Sequence, residues 1–334
     1  MLDERKTAIL QVVIREYIES AQPVGSAHIS RVPGVSVSSA TVRNEMAVLE
    51  QEGFLTQPHT SAGRVPTDKG YRYYVDHLGV PGRLDVARAE QVDTFFHASH
   101  GALERLLSDT SRLLATLTNY AAVVVRPATE ASVTRSLQLV VLSSRIAMVV
   151  AVLANGTVES ETVEVGVDIT DEQIRQAGDQ LARYGVGVPL ASLSNVASTG
   201  DAIVDELVHA AAAALRGRRR SDDDQAFVGG ASSVAQVFDA VEVVRNVLHA
   251  LEHQQMVISL IRDVLDRGLS VAIGAEHGVE PLAACSVVVK PYIVDGEAIG
   301  TIGLLGPTRM NYPQALATVE AVSSQLSRTL TEGR

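Results

Sequence analysis

Arg43 and Asn44 are polar side chains on the outward side of a helix that the sequence predicts over residues 38–52. At about 100° per residue, the inward side of this helix is apolar and carries Val42, Met46 and Leu49. Short side chains surround the two polar ones: Ser39, Ala40, Thr41 and Ala47. A guanidinium pairs with guanine, a carboxamide pairs with adenine, and an alanine methyl contacts thymine. The spacing therefore indicates a helix able to read base edges, although ordinary solvated residues would also produce it.

A second polar cluster follows at a turn-rich tip, residues 58–63, between two short predicted strands. Over residues 59–75, three basic side chains stand against the single acidic Asp68, which gives a local charge of +2. A small polar tip and the free N–H groups at a helix start suit contacts with phosphate or with the minor groove. The predicted contacts are His59, Ser61, Gly63, Arg64, Thr67, Lys69 and Arg72.

The elements that must position these side chains occupy residues 1–78. Apolar residues recur at helical spacing through Asp3–Ser20, and Ser26 can cap a short helix that follows. The helix over 38–52, a β-hairpin and a helix that begins at Thr67 complete the unit. This order of elements is typical of a winged helix-turn-helix, and we predict that fold for residues 1–78.

The remainder of the chain alternates between helical and strand-like patterns. Short strand-like runs and longer helical runs follow one another, and a helix over about Pro313–Leu330 ends the chain. Helices that flank an antiparallel sheet are typical of an α+β domain. The apolar helix face of Val204–Leu215 fits an internal core.

The charge of the chain is unevenly distributed. The 334 residues carry a net charge of −11, but residues 1–78 hold 8 basic and 9 acidic side chains, a net of −1. The remaining 20 basic and 30 acidic side chains give −10. An acidic body argues against a general coating protein for nucleic acid and indicates weak nonspecific affinity, because few phosphates would be neutralised.

Side chains that could catalyse a reaction or bind a metal lack the partners that such chemistry needs. His249 and His253 are one helical turn apart without a third ligand nearby, and Glu276 with His277 lacks a nucleophile. Cys285 is the only cysteine and precedes an apolar strand, which predicts a buried thiol. We therefore expect no enzyme activity, no metal and no cofactor. The most apolar run, Leu137–Leu153, is too short and too polar to span a membrane.

Two sets of residues resemble a known family. Ser39–Met46 reads SATVRNEM, and Pro58–Val75 reads PHTSAGRVPTDKGYRYYV. Near the C-terminus, Gly300–Gly303 reads GTIG and Gly306–Tyr312 reads GPTRMNY. These motifs are similar to those of the heat-inducible transcription repressors of the HrcA type. They lie at both ends of the chain in the expected order, so the resemblance covers the whole chain.

The resemblance implies an α+β chain with a winged helix-turn-helix and a GAF-like domain formed by residues 85–154 and 226–334. It also implies a dimerising domain inserted over residues 155–225, which would place a contact between two chains there, where Val204–Leu215 lies. It also implies a cytoplasmic homodimer that represses class I heat-shock operons, such as grpE-dnaK-dnaJ and groEL-groES, by binding the inverted-repeat CIRCE operator. The GroE chaperonin would modulate that activity. The alternative is a metabolite-responsive winged-helix regulator whose GAF-like domain binds a ligand.

The corner after Gly306-Pro307 carries distinctive side chains for which we predict a structural or interdomain role. These side chains are Arg309, Met310 and Tyr312. Three roles fit them. They would fix the position of the winged helix, line a vestigial ligand pocket, or donate hydrogen bonds to the carbonyl groups of the corner itself.

Overall fold

The computed structural model describes residues 2–35, 37–60, 62–78, 84–99, 103–126, 133–154, 158–193, 198–217 and 225–332. Its N-terminal unit contains three helices, a two-stranded hairpin and a fourth helix. These elements are α1 (Glu4–Ser20), α2 (Ser26–Ile29), α3 (Ser39–Gln51), β1 (Leu55–Thr56), β2 (Val65–Pro66) and α4 (Asp68–Asp76).

Side-chain caps explain where the N-terminal helices begin. The Asp3 carboxylate accepts the Lys6 backbone N–H at 2.8 Å and starts α1. Ser38 Oγ accepts the Thr41 N–H at 3.1 Å at the start of α3. Each cap satisfies a backbone donor that the helix itself leaves unpaired.

The second unit is built on a five-stranded antiparallel sheet in the order β7-β3-β10-β9-β8. Its strands are β3 (Ala121–Arg126), β7 (Gln225–Gly229), β8 (Val271–Ile273), β9 (Cys285–Val294) and β10 (Glu297–Pro307). Its helices are α5 (Val86–Ala98), α6 (Leu103–Thr118), α9 (Val234–Val237), α10 (Val241–Glu252), α11 (Gln254–Asp266) and α12 (Tyr312–Glu332). Alternate residues of β3 face opposite sides, so Val123 packs with α10 and α11 while Val124 packs with α6 and α12.

A third unit is inserted between β3 and β7. It contains a three-stranded antiparallel sheet in the order β4-β5-β6 and two helices that cover one face of that sheet. Its elements are β4 (Thr134–Ser143), β5 (Ile146–Leu153), β6 (Val158–Glu164), α7 (Asp171–Gly185) and α8 (Ala202–Gly217). Its buried residues form a separate hydrophobic core that runs from Leu137 to Leu215.

The boundaries of this insertion differ from the sequence prediction. Residues 133–154 lie outside the five-stranded sheet, because among the described strands β4 pairs with β5, and β5 pairs with β4 and β6. Only the earlier part of 85–154, which contains α5, α6 and β3, belongs to the GAF-like domain. The described insertion therefore covers 133–217 rather than 155–225. The apolar pattern of β4 and β5 could not separate these alternatives, because strands of either sheet bury one side.

The apolar face of α8 packs into the insertion's own core. Val204, Leu207 and Leu215 are at most 3% exposed and pack within the unit, against β6 and α7 among other elements. The hypothesis that this face contacts a second chain therefore does not hold. The predicted fold class is confirmed: the chain is α+β, with a winged helix-turn-helix and a GAF-like domain that contains an inserted domain.

Candidate nucleic-acid interface

The outward face of α3 combines exposed polar and small side chains. Val42, Met46 and Leu49 are buried on the inward side, where α3 packs against α1. On the outward side, Ala40, Arg43 and Asn44 are exposed, and the half-buried positions are Ser39, Thr41 and Ala47. The structure thus brings together the six α3 residues that the sequence singled out, on a surface that is open to a large ligand.

The wing formed by β1 and β2 is held in place beside α3 by local hydrogen bonds. The Gln57 amide donates to the carbonyl groups of Thr60 at 3.0 Å and Ala62 at 2.9 Å, which orders the tip. Val24 and Arg64 exchange two backbone hydrogen bonds of 2.9 Å, which tie the base of the wing to the residues before α2. His59 is exposed, and Ser61 lies outside the described residues.

Gly63 has a packing role that the sequence did not reveal. A Cβ atom at this position would collide with the backbone carbonyl group of Val24. Glycine is therefore required by the close approach of two backbone segments, which places the wing but does not itself bind phosphate.

Arg43 and Arg64 line a groove of about 550 Å³ between α2, α3 and the wing. Arg64 is only 19% exposed, and its Nε donates to Glu50 Oε2 at 2.8 Å. Arg43 is exposed and forms no hydrogen bond or ion pair with the described part of the chain. The two guanidinium groups border one groove, and Arg43 is the one whose donors are available to a ligand.

Thr67 and Lys69 connect α4 to the end of α3. The Thr67 hydroxyl donates to the Gly53 carbonyl at 2.7 Å and accepts the Gly70 N–H at 3.2 Å as the cap of α4. Lys69 Nζ donates to the Glu52 carbonyl at 2.8 Å and lies 4.4 Å from the centre of the Phe54 ring. Both side chains thus stabilise the winged helix internally.

Arg72 faces the GAF-like domain instead of the surface formed by α3 and the wing. Its Nε donates to Glu276 Oε1 at 2.9 Å, and its Nη2 donates to Glu276 Oε2 and to the Val271 carbonyl at 2.8 Å. These contacts raise the pKa of the Arg72 guanidinium above its usual range. Sequence reasoning assigned Arg72 to phosphate, because no local spacing signals a partner that lies 204 residues away.

The corner before α12 makes contacts of two kinds. The Tyr312 hydroxyl donates to the Thr308 carbonyl at 2.6 Å, and the Tyr312 ring lies 5.9 Å from the Tyr71 ring of α4. Arg309 Nη2 donates to the Val237 carbonyl at 2.9 Å, and Met310 is fully buried. Tyr312 therefore serves both the corner and the domain boundary.

The remaining reactive side chains are held in unreactive settings. Burial raises the pKa of the Cys285 thiol to about 12, and burial lowers the pKa of His277 below its usual value. Within the described ranges, no group of three or more His, Cys, Asp or Glu side chains is arranged to hold a metal ion. None of the described helices combines the length and the apolar character that crossing a membrane requires.

Comparisons with known proteins agree with this geometry. Residues 104–316 match the family model described as the HrcA protein C-terminal domain. A curated protein from Shouchella clausii, named heat-inducible transcription repressor HrcA, is 35% identical, with 99% of each chain covered. A protein of the same name from Pseudarthrobacter chlorophenolicus is 37% identical with the same coverage. A crystal structure described as that of a hypothetical protein covers both chains fully with a TM-score of 0.65 and 23% identity, which supports the fold alone.

A winged helix with an open polar face on α3, joined to a regulatory α+β domain, defines the class of winged-helix transcription regulators. The family match and the full-length similarity assign the chain within that class. The protein belongs to the HrcA family of heat-inducible transcription repressors.

Proposed function

We propose that this protein is a homodimeric repressor of class I heat-shock operons, such as those of the chaperones, that occupies the inverted-repeat CIRCE operator. The observation that carries the proposal is the outward face of α3, where Arg43 and Asn44 are exposed between small residues. Each protomer would place the N-terminal half of α3 in a major groove, because recognition helices read bases mainly with that half. Repression follows from occlusion of the promoter.

The wing contributes contacts to the DNA backbone in this proposal. His59 and Gly63 lie at or next to the tip, and Ser61 stands between them in the sequence. Arg64 can exchange its Glu50 partner for a phosphate at the border of the groove. Thr67 and Lys69 contribute by holding α4 against the end of α3, and Lys69 is exposed enough to reach phosphate as well. Arg72 is left out of the DNA contacts, since Glu276 holds it.

The dimer contact that we propose is the open face of the inserted sheet. On the face away from α7 and α8, β4, β5 and β6 carry a set of exposed or half-buried apolar side chains: Val140, Leu142, Ile146, Met148, Val150, Val152 and Val158. Polar side chains, among them Gln138 and Ser160, stand beside these apolar ones on the same face. An exposed apolar patch bordered by polar residues is typical of an interface between chains. A twofold dimer would then match the twofold symmetry of an inverted repeat.

The role of the GroE chaperonin and the cytoplasmic location rest on the similarity to the HrcA family. Footprinting of CIRCE DNA with the full chain, with and without the chaperonin, tests both the operator and this modulation. We expect a symmetric footprint over the repeat that strengthens when chaperonin is added. A footprint that does not depend on the repeat would contradict the operator, and one that ignores the chaperonin would contradict the modulation.

A second candidate function is supported by one cavity. A cleft of about 220 Å³ lies between Tyr17 of α1 and the GAF-like domain, where Phe238 and Arg309 line it. Arg309 Nη2 lies 3.2 Å from Asp239 Oδ2 in this cleft, so a carboxylate ligand would have to replace Asp239 as the partner of the guanidinium. Thermal unfolding of the full chain with a panel of small carboxylates tests this. If no carboxylate shifts the unfolding temperature, the metabolite-responsive candidate is wrong and the operator-binding repressor is the remaining one.

A further inference from the structure

The first step concerns how α3 is joined to α4. At the C-terminal end of α3, the Glu52 carbonyl accepts from Lys69 Nζ at 2.8 Å, and the Gly53 carbonyl accepts from the Thr67 hydroxyl at 2.7 Å. The Thr67 N–H also donates to the Phe54 carbonyl at 3.1 Å. A Cβ atom on Gly70 would overlap that same carbonyl group, so α4 lies directly against the end of α3. The two helices therefore move as one body.

The second step concerns how α4 is joined to the GAF-like domain. Arg72 forms the forked ion pair with Glu276, and its Nη2 also reaches the Val271 carbonyl. The Asp68 carboxylate accepts the Ala275 N–H at 3.3 Å. We call these contacts of Asp68 and Arg72 with residues 271–276 the α4 latch. They are directional hydrogen bonds of charged groups, which fix an orientation better than apolar contact does.

The GAF-like side of the α4 latch is itself rigid. Glu276 Oε2 accepts the Ile273 N–H at 2.9 Å, and the Glu276 carbonyl accepts from Arg267 Nη1 at 2.7 Å. Gly274 adopts a φ of +55°, and a Cβ atom there would collide with the Asp68 carboxylate. Arg72 and Glu276 are 24% and 31% exposed, so water only partly weakens the ion pair.

Covalent connection alone would leave α3 free to take many positions. Nine residues, 77–85, separate α4 from α5, and an extended chain of that length spans about 30 Å. Each base pair added between two half-sites moves one of them by about 3.4 Å and rotates it by roughly 35°. A connection limited only by chain length would accommodate such changes, whereas a docked α4 would not.

We infer that Arg72 and Glu276 are specificity-determining residues: through the α4 latch they fix α3 relative to the GAF-like domain, and so select the half-site separation that the dimer binds. This inference rests on the proposed function, because it requires two reading helices in one symmetric dimer. Arg72 acts as a positioning residue and touches no DNA. The separation of the half-sites is then read by the body of the protein, while α3 reads the bases.

The test measures spacing selectivity rather than affinity alone. An inverted repeat is first selected from random duplex DNA with the wild-type full chain. Duplexes are then made with the two half-sites one or two base pairs closer or further apart, together with a duplex that holds a single half-site. Binding to each is measured for the wild type, Arg72→Gln, Arg72→Lys and Glu276→Gln.

Arg88→Gln is the matched control, because it removes an arginine from an ion pair with Asp85 on the exposed surface of α5. We expect the wild type and this control to bind respaced repeats roughly tenfold more weakly than the selected one, within the range of coupling between two sites. Arg72→Gln and Glu276→Gln should reduce this difference to about threefold or less, with the Tyr71–Tyr312 contact still in place, and Arg72→Lys should fall between. Affinity for the single half-site should not change.

The outcomes separate this inference from the proposed function. If Arg72→Gln and Glu276→Gln, with wild-type affinity for one half-site, keep wild-type spacing selectivity, the α4 latch does not set the separation. If the wild type binds repeats of every half-site separation equally well, the inference is also wrong. The proposed function still holds in that case, provided that the wild type binds half-sites specifically. If the wild type selects no inverted repeat and binds no half-site, the proposed function itself fails.

Discussion

At the scale of single residues, Arg43 and Arg72 show how the setting of an arginine determines its use. Arg43 lies exposed on α3 and bonds to none of the described residues, so its donors are available for a base. Arg72 carries the same group, but Glu276 and the Val271 carbonyl occupy its donors. The difference follows from the element that each residue faces, which neighbouring residues in the sequence do not reveal.

Arg43→Ala should weaken binding to the operator by about 1–3 kcal/mol and relax preference at one base position, because a bidentate pair with guanine is lost. Quantitative binding to operators substituted at each position checks this. Arg15→Ala is the control, because it removes an exposed arginine from α1 in the same unit. If Arg43→Ala binds the operator with unchanged affinity and base preference, α3 is not the helix that contacts the bases.

His277 should make the stability of the protein depend on pH. Burial lowers its pKa in the folded state, so the unfolded chain takes up a proton that the folded chain resists. The contribution of neutral His277 to the free energy of unfolding is fully present above a pH of about 6.5. It is lost as the pH falls towards the lower pKa of the folded state. Free energies of unfolding measured between neutral and acidic pH should fall more steeply for the wild type than for His277→Gln. Parallel slopes would contradict this.

At the scale of elements, the wing is placed by backbone contacts rather than by side chains. The paired hydrogen bonds of Val24 and Arg64 bring two backbone segments so close that only glycine fits at position 63. The sequence showed the turn but not this approach, because the partner segment precedes α2. The same limit applies to α4, whose helical pattern was evident while the surface against which it packs was not.

Gly63→Ala should displace the wing, because the added methyl group overlaps the Val24 carbonyl. We expect a loss of about 1–3 kcal/mol in the free energy of unfolding, as for an overpacked site. Weaker DNA binding should accompany it. Gly25→Ala is a suitable control, since a Cβ atom there meets nothing within 4 Å. If both variants unfold at the same denaturant concentration, the close approach does not constrain the wing.

At the scale of the whole molecule, the sequence predicted the winged helix well and the insertion poorly. The apolar stripe of α3 and the caps at Ser38 and Thr67 are local signals, and the structure contains these elements. The insertion instead depends on which strands pair, and β4 could join either sheet on its pattern alone. Pairing of distant segments is decided by tertiary contacts, so the boundary at residue 133 could not be read locally.

The open face of the inserted sheet should control the oligomeric state. Val150→Glu places a charge at the centre of this face, next to Gln138 and Ser160 on the neighbouring strands. Burying that charge between two chains is costly, so we expect the dissociation constant of the dimer to rise by roughly tenfold or more. Sedimentation equilibrium measures this, with Gln176→Lys on the exposed face of α7 as the control. If Val150→Glu dimerises like the wild type, the open face of the inserted sheet is not the dimer contact.

The separation of 204 positions between Arg72 and Glu276 also orders events in time during synthesis. All elements of the winged helix lie within residues 1–78, so they are synthesised long before the strands that dock it. In the finished structure its buried side chains continue into the same hydrophobic core as α6 and α12. At about 5–20 residues per second, a ribosome needs roughly 10 to 40 s to add the intervening chain. Through that interval α3 and α4 have no partner residues of the GAF-like domain against which to dock. The selection of half-site separation that we infer would therefore be acquired only after Glu276 has been synthesised.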